Sequence, residues 1–172
     1  KTGYSEFLDR GISTTVSLGD VLICTSLLHV YARDHVTWVT SAQAKDLLKN
    51  NPMIHETIIF GSEALTRLEG QEFDILINLE KDIGISTSLR RIKAKKCFGF
   101  YFSDKTHNIE TRKRSTRYLL AGQENHRDID LNALEILYET VGKSWRGQGL
   151  VLGSKKKTKI KYDFGFNYSV GS

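Results

Sequence analysis

Apolar residues fall in short runs along the chain, separated by polar stretches with helical spacing, which is the pattern of a parallel α/β sheet. GISTTVS (11–17) reads as a first strand, rich in β-branched residues, and GDVLICTSLLHVYARD (19–34) as a helix apolar nearly all round. HVTWVT (35–40) reads as a second strand, followed by a helical SAQAKDLLKN (41–50) that stops at Asn51-Pro52. ETIIFG (56–61) is the third strand, and SEALTRLEG (62–70) a short helix opening on Ser62 and closing on Gly70. FDILINL (73–79) is the fourth, with Phe73, Ile75, Ile77 and Leu79 expected on one face and Leu76 on the other. GISTSLRRIKA (84–94) reads as a short helix and KCFGFYF (96–102) as a fifth strand.

After Phe102 the rhythm breaks. SDKTHNIETRKRST (103–116) reads as polar and partly loop, and DIDLNALEILYETVG (128–142) as an amphipathic helix capped by Gly142. GSKKKTKIK (153–161) reads as a linker or exposed turn, and YDFGFNYSVGS (162–172) as one more strand entering a Gly/Ser-rich loop. The elements predict a doubly wound, Rossmann-like, mainly parallel sheet of 3-2-1-4-5 order.

At 172 residues the chain has the size of one domain, and 40% hydrophobic with 26% charged residues is ordinary for a globular protein. No apolar run approaches the roughly 20 residues of a membrane helix, and the N-terminus lacks a signal-peptide pattern. Cys24 and Cys97 both sit in apolar runs, so two buried thiols are expected. Net charge is +5 and the pI near 9.2, with basic clusters at Arg112–Arg117 and Lys155–Lys161. Such clusters are either solvated surface or attractants for phosphate on nucleotide, nucleic acid or lipid.

Ligands of open α/β sheets bind outside the carboxyl ends of the strands. That places Asp20 after strand one, Asn78 to Asp82 after strand four, and the NYSVGS loop after the last strand around one cleft. Asp20 is either a helix-start residue that suits the dipole or a base for an incoming hydroxyl, with Gly19 letting a ligand approach the backbone. Neither G-x-G-x-x-G after strand one nor a P-loop is present, which weakens a small Rossmann oxidoreductase reading. Scattered histidines and cysteines give no metal-ligand spacing, so no metal site is expected.

The stretch SLGDVLICTSLLHVYARDHVTWVTSAQAKDLLKNNPMIHETIIFG (17–61) resembles the opening of the family 9 glycosyltransferases, the lipopolysaccharide heptosyltransferases and their relatives. The Gly-Asp turn, the apolar helix, the Trp-Val strand and the Asn-Pro-x-Ile link occur in that family's order. FDILINLEKD, KAKKCFGF, LNALEILYETVG and FGFNYSVGS continue the likeness. Where members commonly carry a proline in the first helix, this chain has Ser26. The resemblance implies an inverting enzyme of the two-domain GT-B type. Residues 1–160 would form its acceptor-binding N-terminal domain, and 161–172 a linker with the first strand and loop of the nucleotide-sugar domain.

It further implies that Asp20 is the catalytic base and that Gly19, Asn78, Lys81, Asp82, Arg90 and Arg91 serve the acceptor. Asn167, Ser169 and Gly171 would belong to the donor-phosphate loop. The donor would be a nucleotide sugar such as ADP-heptose, used without a metal or other cofactor. The acceptor would be a lipid-linked or lipopolysaccharide-core glycan, met by a cytoplasmic enzyme peripheral to the inner face of the membrane. The competing reading is a non-enzymatic basic α/β module that binds nucleic acid or another polyanion. It ranks below the first because no stacking aromatics interleave with the basic clusters.

Overall fold

The computed structural model describes residues 17–113 and 131–153. Strands β1 (Thr37–Thr40) and β2 (Glu56–Ile59) pair in parallel, Thr37 opposite Glu56 and Thr40 opposite Ile59. Strands β3 (Glu72–Asn78) and β4 (Lys93–Ser103) are likewise parallel, with Glu72 opposite Lys93 and Asn78 opposite Gly99. The helices are α1 (Leu18–Cys24), α2 (Lys45–Leu48), α3 (Ser62–Glu69), α4 (Ile83–Ser88) and α5 (Ala133–Thr140). The architecture is therefore mixed α/β, with α3 and α4 as strand-to-strand connections. Residues 11–16 of the predicted first strand, the last strand, and Asn167, Ser169 and Gly171 lie outside the described residues, while Ser17 holds the N-cap position of α1.

Three expectations are corrected. The segment after Phe102 is not simply loop: β4 runs on to Ser103, and β5 (Asn108–Thr111) returns antiparallel to it. The turn passes through His107 at φ 52, and Ile109 supplies the one buried apolar contact that pins the return. The long first helix stays α-helical only to Cys24 and continues as a 3-10 segment, Thr25–Tyr31. There the Thr25 hydroxyl donates to the Leu22 carbonyl at 2.7 Å, a back-bond three residues away that favours the tighter turn. Finally, β3 does not present one apolar face. Phe73 and Leu76 pack with Ile58, Leu68 and Ile92, Ile77 packs against Leu79 and Cys24, and Ile75 is exposed.

Helix α5 has both ends specified by sequence. Asn132 and Glu135 form a reciprocal capping box at its start. At its end Gly142, at φ 72, donates to the Glu139 carbonyl and Lys143 to that of Tyr138, a Schellman closure. Leu137, Tyr138 and Val141 bury against Cys24, Leu27 and Leu79, so α5 lies over α1 and the end of β3.

Candidate functional site

The best-defined local structure at the carboxyl end of the sheet is the loop from β3 into α4. Asn78 is 5% exposed, and its amide is satisfied on both sides. Nδ2 donates to Ser86 Oγ at 2.9 Å and to the Phe100 carbonyl at 3.0 Å, while Oδ1 accepts from Glu80 N–H at 2.9 Å. The Ser86 hydroxyl also reaches the Glu80 carbonyl at 3.3 Å. Both backbone groups of Glu80 are thus tied to buried side chains. Asp82 closes the loop as the N-cap of α4, with Oδ1 accepting from Ile85 N–H at 2.7 Å. Gly99 makes room for this arrangement: a Cβ there would stand 1.9 Å from the Asn78 carbonyl oxygen.

Asp20 lies in the first turn of α1, half-buried, with Gly19 exposed before it. It precedes Cys24 by one helical turn on the same face. Cys24, the last residue of α1, packs in one cluster with Leu79, so the end of α1 is tied to the start of the β3–α4 loop. Ser17 holds the N-cap position without a side-chain hydrogen bond. A Cβ on Gly19 would meet nothing within 4 Å, so no packing contact with the described fold demands glycine there.

The sequence-predicted residues divide accordingly. Asn78, Lys81 and Asp82 share one loop, beside the anchored helix that carries Gly19 and Asp20. Asn78 and Asp82 use their side chains to build that loop. Arg90 and Arg91 lie in the 3-10 turn that leads from α4 into β4. Arg90 forks onto Asp104 at 2.7 and 2.8 Å, and Arg91 pairs with Glu69 at 2.8 Å, both exposed. Such pairs contribute at most about 1 kcal/mol each.

The residue that sequence reasoning passed over is Glu80, a carboxylate only 4% exposed on the same loop. Its signal was an acidic residue inside an otherwise apolar LINLE run. Cys24 is buried as expected, but Cys97 is exposed on the outer side of β4. Burial, helped by Asp34, pushes the Tyr31 phenol up to about 12, and hydrogen bonds from Thr106 and Tyr101 lower the Glu110 carboxyl.

Among the described residues no three His, Cys, Asp or Glu side chains gather as a metal site, and no helix is long and apolar enough to cross a membrane. No protein-family model, curated protein or solved structure matches the chain. The fold and loop geometry therefore define its class, a mixed α/β protein with parallel strand pairs.

Proposed function

We propose that the chain is the acceptor-binding half of an inverting glycosyltransferase, similar to the lipopolysaccharide heptosyltransferases. The observation that carries this reading is the anchoring of Asp20's helix to the β3–α4 loop through Cys24 and Leu79. It supports a reading in which the half-buried Asp20 carboxylate stands at the sheet's carboxyl rim and takes a proton from a hydroxyl. On this reading, Asp20 takes the proton as the acceptor oxygen attacks the anomeric carbon, and the nucleoside diphosphate departs. The leaving charge is met in a second domain, to which Asn167, Ser169 and Gly171 lead, without a bound metal. Lys81 holds an anionic acceptor. The parallel pairs β1–β2 and β3–β4 are compatible with a Rossmann-like sheet of the expected 3-2-1-4-5 order. The cavity of about 530 Å³ bordered by Trp38, Val39, Ile75 and Ile77 supports that order.

The test is Asp20→Asn in the protein that includes the donor domain, assayed with ADP-heptose and a lipopolysaccharide-core acceptor. Asparagine suits a helix start, so the unfolding midpoint stays put while turnover drops by roughly 100-fold. Near-normal turnover would leave Asp20 as a helix-start residue only.

A further inference from the structure

From Gly142 to Lys161 the chain contains no aspartate or glutamate, yet carries Lys143, Arg146 and five lysines between Lys155 and Lys161. Its described part, Gly142–Gly153, is a strap fixed across the helices. The Gly149 carbonyl meets His29 Nε2 at 3.1 Å. Val151 N–H donates to Thr25 Oγ1 at 3.0 Å, and Asn51 Nδ2 donates to the Val151 carbonyl at 2.8 Å. Val151 points inward at 8% exposure, and neighbours in an extended chain point the opposite way. Leu150 and Leu152 are accordingly outward, 44% and 40% exposed.

Upstream, the turn Trp145–Gln148 is closed twice. Trp145 Nε1 donates to the Gln148 carbonyl at 2.9 Å, and Arg146 N–H donates to Gln148 Oε1 at 2.7 Å. Beside it runs a groove of about 480 Å³ bordered by His29, Tyr138, Lys143, Ser144, Arg146 and Gln148. Among the described residues Lys143 and Arg146 make no ion pair, whereas Arg67, Arg90 and Arg91 each do.

Outward leucines on a fixed segment, flanked by cations with no acid among them, suit a surface that is anionic outside and apolar beneath. We propose that this strap docks the protein on an anionic phospholipid membrane. A lipid phosphate enters the groove between Lys143 and Arg146, and Leu150 and Leu152 enter the boundary between headgroups and acyl chains. The inference deepens the proposed function and rests on it only in taking the acceptor to be lipid-linked. Nucleic acid fits less well, because the strap's one aromatic residue, Trp145, packs against the core and its ring nitrogen is occupied.

Sedimentation of the protein with vesicles of mixed phosphatidylglycerol and phosphatidylcholine, against phosphatidylcholine alone, tests this. Binding is expected only to the anionic vesicles, weakening as salt is raised. Leu150→Ser with Leu152→Ser should weaken it roughly tenfold or more, through lost apolar burial. Lys143→Gln with Arg146→Gln should lower it about tenfold at low salt. Circular dichroism checks that these exposed substitutions leave the fold intact. No binding to anionic vesicles, or partition unchanged in the leucine variant, overturns the proposal. Tight binding of single-stranded RNA without vesicle binding overturns it too and assigns the charge to nucleic acid. Neither assay involves sugar transfer. A protein that binds vesicles but transfers no sugar therefore sinks only the activity, and the converse sinks only the docking.

Discussion

The Tyr138 phenol donates a 2.6 Å hydrogen bond to the Ser26 carbonyl, joining α5 to the 3-10 segment across 112 positions of sequence. The ring is 1% exposed, and burial raises the phenol's pKa. Tyr138→Phe keeps the ring but leaves a buried carbonyl without its donor. A loss of about 1–3 kcal/mol is expected in urea unfolding, with the denaturant slope unchanged.

Ser26 itself gives the opposite case. Its hydroxyl is fully buried, with no hydrogen-bond partner among the described residues. Removing an unsatisfied buried polar atom costs little, so Ser26→Ala should leave stability unchanged or raise it by up to about 1 kcal/mol. A drop in the thermal midpoint would mean the hydroxyl has a partner in solution.

Gly19 separates folding from function. It sits inside α1 with open space around its Cα, and alanine is the better helix former by roughly 0.5–1 kcal/mol. Gly19→Ala should therefore raise the melting temperature. If the acceptor approaches this backbone, transfer activity should fall in the same variant. Unchanged activity would remove Gly19 from the site.

Gly99 tolerates no such change. Its φ is 86, and a Cβ would stand 1.9 Å from the Asn78 carbonyl oxygen and 2.9 Å from its carbon. Gly99→Ala has to push β4 away from β3 and disturb the Asn78 hydrogen bonds. The expected loss is about 3 kcal/mol or more, read from the denaturation midpoint or from insoluble expression.

Glu110 provides the pH test. Hydrogen bonds from Thr106 Oγ1 at 2.7 Å and Tyr101 Oη at 2.9 Å hold its carboxyl below the ordinary glutamate value. A depressed folded-state pKa stabilises above the unfolded value, and the effect is lost as pH falls through the folded one. The carboxyl resonance followed by NMR should titrate low, and Thr106→Ala should move it up. An unmoved titration would rule out the Thr106 bond as its cause.

Local pattern made the four parallel strands legible, because β1 to β4 fall in short runs rich in apolar and β-branched residues between polar stretches. The C-terminal end of α5 was legible too, since Gly142 acts within a few residues, but its start was read at Asp128, whereas the Asn132–Glu135 capping box sets it at Ala133. The return strand β5 was hidden because Asn108, Glu110 and Thr111 flank a single apolar residue, and only pairing with Phe100–Ser103 identifies it. The switch to 3-10 geometry at Thr25 depends on one side-chain bond. The role of Asn78 depends on Phe100, 22 residues away, and so no local signal separates a ligand-facing amide from a buried one.

Gly153 passes so close to α2's end that a Cβ would come within 2.1 Å of the Lys49 carbonyl oxygen. Together with the Asn51–Val151 bond, this makes the last described residues a mechanical anchor. Tension from whatever follows Gly153 is carried into the segment after α2 and the Thr25 turn, while the ladders β1–β2 and β3–β4 stay out of the load path. Pulling on the chain beyond this point should strip the strap from the helices before either ladder unzips.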